Sequence, residues 1–166
     1  MPVKFQDFSI KVKAELNNVT RAWLHEQSSE IKSQAQRNCK MDDKGQLKAT
    51  YANKVDEGEG KATIGSPLES AYWEEWGTGE YAAHGDGRKG WWVYIEGQKS
   101  QGGGQTYATQ EEAERMAAYI RAKYHKKAIA TNGREPNYTL ENAFKTVKPH
   151  AIERLKALLG ERMGKE

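Results

Sequence analysis

From Asp7 to Cys39 the chain contains neither proline nor glycine, and Val12, Leu16, Val19, Trp23, Ile31 and Ala35 recur at steps of three, four or eight residues. That is the period of one face of an α-helix, so the stretch predicts a single long helix over 7–40. Asp7 or Ser9 can cap its start, and Asn38 with the run from Lys40 to Gly45 marks its stop. Material to cover this helix is scarce. Of 166 residues, 37% are hydrophobic and 30% charged, below the apolar share of roughly 45–50% usual in globular chains, so the core must be thin. Five Trp and eight Tyr compensate in part, because each aromatic ring buries a large area from one position. The length predicts a single domain, 1–166.

Beyond Gly45, Leu47, Ala49, Tyr51, Asn53 and Val55 alternate at period two, which predicts a strand over 46–55. Glu57-Gly58-Glu59-Gly60 turns it back into Ala62–Gly65 as a hairpin. Ser66-Pro67-Leu68-Glu69 carries a capping box and a proline at the first helical position, predicting a short helix to Trp76 that Gly77 ends in a left-handed conformation. Glu80–Gly90 has three glycines and no periodicity and reads as a mobile, projecting loop. Trp91–Glu96 is the strongest strand signal, expected to pair across the glycine-rich turn 98–105 with Thr106–Ala108. Thr109-Gln110-Glu111-Glu112 caps an inserted helix over 109–127. A terminal helix over 139–160 follows, its apolar side formed by Leu140, Ala143, Phe144, Val147, Ala151, Leu155, Leu158 and Leu159, with a kink or break expected near Pro149. The fold class is therefore α+β. A small antiparallel sheet (47–55, 62–65, 91–96, 106–108) is covered by the first and last helices, and glycine-rich loops project from it.

The net charge of +3 does not announce a nucleic-acid binder. One cysteine, Cys39, excludes an intrachain disulfide and fits a reducing compartment. No apolar run has the length of a membrane span, and the first residues lack the apolar core of a signal peptide, so a soluble, non-secreted protein is expected. Charge is uneven: 66–96 holds six acidic against two basic residues, and 97–138 seven basic against four acidic. Ordinary surface scatter and head-to-tail contacts between subunits both account for this.

No catalytic set assembles from the residue types. His25, His84, His125 and His150 lie in separate elements, and His84-Gly85-Asp86 falls short of the three or four rigid ligands that zinc wants. Gly85–Gly90 lacks phosphate-loop spacing and leads into a strand rather than a helix. Glu74 and Glu75, adjacent on a helix, do not share a face and read as solvated or interface carboxylates. Cys39 sits at a helix C-terminus, where the dipole disfavours a thiolate. Trp91, Trp92 and Tyr94 beside Arg88 and Lys89 could stack on single-stranded nucleic acid, although core or protein interface is the blander use of strand aromatics. No cofactor is implied.

The segment Ala71-Tyr72-Trp73-Glu74-Glu75-Trp76-Gly77-Thr78-Gly79 resembles the Glu-aromatic-Gly-Thr-Gly segment of neck, tail-completion and head-tail joining proteins of tailed bacteriophages (siphophages), often labelled minor tail components. Asp42–Lys48 resembles the turn and strand after that family's first helix, and Gly85–Tyr94 the loop and strand after its Gly-Thr turn. Pro136-Asn137-Tyr138-Thr139-Leu140 with Ala143-Phe144 resembles the entry to its terminal helix, except that Tyr138-Thr139 stands where Pro-Phe is usual. The helix over 109–127 replaces a hairpin short in many members.

The resemblance implies a structural, non-catalytic phage or prophage protein of the virion neck, assembled in the host cytoplasm. It would form a ring with itself, as a hexamer, and meet other connector or tail-tube proteins. DNA would at most line its channel, with no membrane and no small-molecule substrate. Tyr72, Glu75, Trp76, Gly77, Thr78, Gly79, Gly87, Arg88, Trp91 and Trp92 become the motif and interface candidates. A nucleic-acid-binding module using Arg88, Lys89 and Trp92 is the alternative by class, and a metal-dependent hydrolase using His84 and Asp86 the weakest.

Overall fold

The structure is a computed structural model and describes residues 9–40, 45–97 and 104–163. Asp7, the turn at 41–44 and most of the turn at 98–105 lie outside the described residues. The chain divides into two compact units, one formed by residues up to Ala71 together with those from Thr139 onward, the other by Tyr72–Tyr138. No helix among the described residues is long and apolar enough to cross a membrane.

The first unit is built on α1 (Ser9–Asn38) and α5 (Thr139–Met163), which pack against each other. Small side chains make this approach possible: Ala35 and Ala143 are fully buried, and Val19, Val147 and Ala151 nearly so. Leu47, Tyr51 and Cys39 complete the core with Ala35 and Ala143, with Ile31, Ala71 and Leu140 at its margin. Phe144, expected on the apolar side, is instead half exposed with the Lys148 ammonium 5.8 Å from its ring centre. Helix α5 runs through Pro149 without a break. Proline removes one backbone donor, and the packing of Val147 and Ala151 on either side holds the helix together despite that loss. The indole of Trp23 donates from Nε1 to the Ala151 carbonyl oxygen at 2.8 Å. Trp23→Phe keeps most of the ring and deletes this donor, so thermal or urea denaturation is expected to show a loss of about 1 kcal/mol.

Residues 46–50 are not a strand but a short helix, α2 (Gln46–Thr50). Leu47 and Tyr51 are buried while Ala49 between them is exposed. The apolar signal thus belongs to an i, i+4 spacing that, over five residues, also satisfies alternation. The hairpin follows as expected: β1 (Ala52–Asp56) pairs antiparallel with β2 (Lys61–Gly65), with Asn53 opposite Ile64 and Val55 opposite Ala62. The Asp56 carboxylate accepts from the backbone N–H groups of Gly58 and Glu59 at 3.0 Å, closing the turn. The inner face meets α1, where Asn53 Nδ2 donates to the buried Ser28 hydroxyl at 2.8 Å. Ser66 accepts from Leu68 N at 3.2 Å and contacts the Thr50 hydroxyl at 2.8 Å, so Pro67 stays outside helix α3 (Glu69–Trp76), which starts two residues later than the capping box predicts.

In the second unit, β3 (Thr78–Gly79) pairs with β6 (Gly133–Arg134), and β4 (Trp92–Ile95) pairs with β5 (Ala128–Thr131), both antiparallel. The expected partner of the aromatic strand, Thr106–Ala108, contributes only one bridge, Trp91 to Tyr107. Among the described residues, the expected single four-stranded sheet is therefore replaced by three two-stranded ladders. Ala128-Ile129-Ala130-Thr131 gives a weak strand signal because alanine is a poor strand former. Those alanines are selected by packing: Ala128 and Ala130 are buried on the face that receives α4 (Gln110–Tyr124), itself presenting buried Ala113 and Ala117. The capping box that starts α4 forms, with the Thr109 hydroxyl accepting from Glu112 N at 3.3 Å and the Glu112 carboxylate from Ala108 N at 3.2 Å.

Candidate functional site

The segment from Tyr72 to Gly79 is the centre of the second unit. Gly77 ends α3 with φ +74°, its N–H donating to the Trp73 carbonyl at 2.9 Å, the left-handed stop expected from its position. A methyl group there would lie 2.7 Å from the Arg134 carbonyl oxygen and 2.9 Å from Pro136 N. Gly79, at φ +63°, is more confined: its methyl group would run into the Asn132 carbonyl oxygen and lie 2.5 Å from Trp92 Cη2 and 2.6 Å from Gly133 Cα. Gly87 presses on the Gly79 carbonyl in the same way. Three glycines thus let the backbone of 77–79 close on 132–136 and on the loop, with Thr78 Oγ1 accepting from Arg134 N at 3.1 Å.

Beneath this knot lie the two carboxylates expected to be solvated or at an interface. Glu74 and Glu75 are 1% and 6% exposed. Glu74 Oε1 accepts from Asn137 Nδ2 at 2.9 Å, Oε2 faces the Arg134 guanidinium at 3.6 Å, and the Glu74 backbone carbonyl accepts from Asn137 N. The Glu75 carbonyl accepts from Tyr138 N, which has a positive φ of 49°. The exit of the unit is therefore stapled to its entry. A buried carboxylate is tolerated when it is compensated: here Oε1 takes the Asn137 amide, and the charge is offset by the Arg134 guanidinium, which stands beyond hydrogen-bond distance of Oε2.

The loop 80–90 is irregular, as expected, and well tied. Glu80 accepts from Gly90 N at 3.2 Å and from Asn132 Nδ2 at 3.1 Å, and Ala83 N donates to the Trp76 carbonyl. The His84 ring lies 4.7 Å from the half-buried Trp76 ring, and Tyr138 meets Trp76 edge-on at 6.1 Å. Arg88 lies over the Trp92 ring at 5.0 Å and donates to Thr106 Oγ1 and the Gly104 carbonyl. Trp91 is fixed by its two backbone bonds to Tyr107. Of the sequence candidates, then, Glu75, Gly77, Thr78, Gly79, Gly87 and Trp92 converge on one knot, while Trp91 bridges to Tyr107. Tyr72 and Lys89 stay exposed.

Sequence reasoning missed Arg134, Asn137, Asn132 and Gly133, which fall between the two helices expected over 109–127 and 139–160. The available signal was Asn132-Gly133, a turn dipeptide that falls at the bend between β5 and β6. The histidines lie apart: His25 against Glu57 at 3.2 Å, His84 on Trp76, His125 at the end of α4, and His150 exposed on α5. Among the described residues no three His, Cys, Asp or Glu side chains gather as a metal-binding group. No family model, curated protein or solved structure matches the chain.

Proposed function

We propose that this chain is a structural part of a tailed-phage or prophage head-tail connector, a neck or tail-completion protein that joins the DNA-filled head to the tail without catalysis. The observation that carries the reading is the part played by the residues behind the resemblance. Glu75-Trp76-Gly77-Thr78-Gly79, Gly87 and the two tryptophans fold the second unit, so the motif is a scaffold whose glycines are required by contacts under 3 Å. A motif that serves packing suits a protein whose work is to present a rigid surface to neighbours. In this reading the partners are further copies in a ring, taken as a hexamer, and other connector or tail-tube proteins. The protein resides in the virion after assembly in the host cytoplasm.

Disrupting the gene in the producing phage is expected to leave DNA-filled heads and detached tails under the electron microscope, and native mass spectrometry of the assembled neck should show a ring of this chain. Intact, infectious virions from the disrupted strain would overturn the proposal. Arg88 and Trp92, the basis of the nucleic-acid alternative, are engaged with each other and with Gly104 and Thr106.

A further inference from the structure

Between Glu114 and Glu135 the chain has no acidic residue, while Arg115, Arg121, Lys123, Lys126, Lys127 and Arg134 contribute six positive charges. Three of these are matched: Arg115 by Glu111 at 4.0 Å, Lys127 by Glu96 at 3.7 Å and Arg134 by Glu74 at 3.6 Å. Arg121, Lys123 and Lys126 have no carboxylate partner among the described residues, and all three belong to the C-terminal tip of α4 and the turn into β5. His125, at φ 52°, closes the helix with its N–H on the Arg121 carbonyl, and Arg121 Nη1 donates to the Ala128 carbonyl at 2.7 Å. The guanidinium is thereby held beside the turn that carries Lys126.

Two aromatic rings share this tip. Tyr119 and Tyr124 are 49% and 54% exposed and meet edge-on at 6.4 Å. Lys123 Nζ donates to the Tyr119 hydroxyl at 2.6 Å and sits 5.1 and 5.3 Å from the two ring centres. Cations in the last turn suit the helix dipole, but the dipole gives no reason for two large rings to stand in water beside them. Ring faces next to unmatched cations are the combination that holds an unpaired base together with its phosphates.

We propose that the α4 tip binds single-stranded nucleic acid, with Tyr124 and Tyr119 taking an unpaired base and Arg121, Lys123 and Lys126 the adjoining phosphates. A duplex fits less well because its bases are already stacked, and an acidic peptide would use the charges and leave the rings idle. The inference stands apart from the connector reading, because it concerns a surface of one chain whatever assembly that chain joins.

Fluorescence anisotropy of the full chain with a labelled oligothymidine is expected to show saturable binding at low salt. Three phosphate contacts correspond to a slope of about −2 in log affinity against log salt. Tyr124→Ala should weaken binding roughly tenfold or more, the scale of one lost stacking contact, while Tyr124→Phe, which keeps the ring, should bind nearly as the parent does. Lys123→Ala should flatten the salt slope by about one contact. These positions are exposed, and circular dichroism of each variant checks the fold. No binding at low salt, equal affinity for a duplex of the same length, tighter binding of polyglutamate, or affinity unmoved by Tyr124→Ala would each overturn the proposal.

Discussion

Replacing Gly79 by alanine is expected to unfold the second unit. One methyl group would have to occupy space already held by the Asn132 carbonyl, Trp92 Cη2 and Gly133 Cα, at a φ of +63° that side chains rarely adopt. The left-handed backbone alone costs about 1–2 kcal/mol outside glycine. Two of the three obstacles are backbone atoms at and just before the start of the paired strand, which cannot swing aside like a flexible side chain, so overpacking adds about 1–3 kcal/mol. A loss of about 2–5 kcal/mol in urea denaturation would consume much of a typical domain's stability, and amide exchange should accelerate across 72–138. Gly85→Ala is the control. Its φ is +73°, yet nothing lies within 4 Å of the added carbon, so only the backbone term of about 1–2 kcal/mol applies. Equal melting temperatures for the two variants would refute the close β3–β6 approach.

The second large effect is expected at Glu74. Glu74→Lys places a cation at a position 1% exposed and facing Arg134 at 3.6 Å, and strips Asn137 Nδ2 of its acceptor. Breaking a buried pair in this way costs about 3–5 kcal/mol. Arg134 is 44% exposed on its side chain and can rehydrate, which places the neutral variant Glu74→Gln lower, at about 1–2 kcal/mol, since an amide oxygen can still accept from Asn137. Denaturant unfolding of both variants checks the order. Charge reversal at Glu74 and Glu75 therefore reports on folding, not on subunit contacts, and a Glu74→Lys protein with parental stability would show that the carboxylate is not buried as described.

Where one element's own periodicity decides the outcome, the sequence was a good guide. The runs behind α1, α4 and α5 carry apolar residues at helical spacing, and capping at Thr109 and the left-handed stop at Gly77 are contacts between near neighbours in the chain. Misreadings arose where a residue's environment comes from far along the chain. Residues 46–50 are too few to separate alternation from an i, i+4 pair. Glu74 looks like any helical carboxylate until Arg134 and Asn137, about sixty residues on, are folded against it.

The candidate site divides along the same line. Its glycines, tryptophans and Glu-Trp-Gly-Thr-Gly run were visible as a pattern, and each glycine could be read as a position that resists a side chain. Which atoms impose that resistance was not visible, because Asn132, Gly133, Arg134 and Pro136 reach Gly77 and Gly79 only through the pairing of β3 with β6. By itself the sequence determined the long helices, the cap at Thr109, the stop at Gly77, the hairpin and the α+β class, all set by spacings of two to four residues and by local hydrogen bonds. Tertiary structure alone decided that the aromatic strand pairs with Ala128–Thr131, that Glu74 is buried, and that Tyr119 and Tyr124 stand exposed among unmatched cations. Strand partner and burial depend on contacts between residues distant in the chain, and no local propensity encodes them.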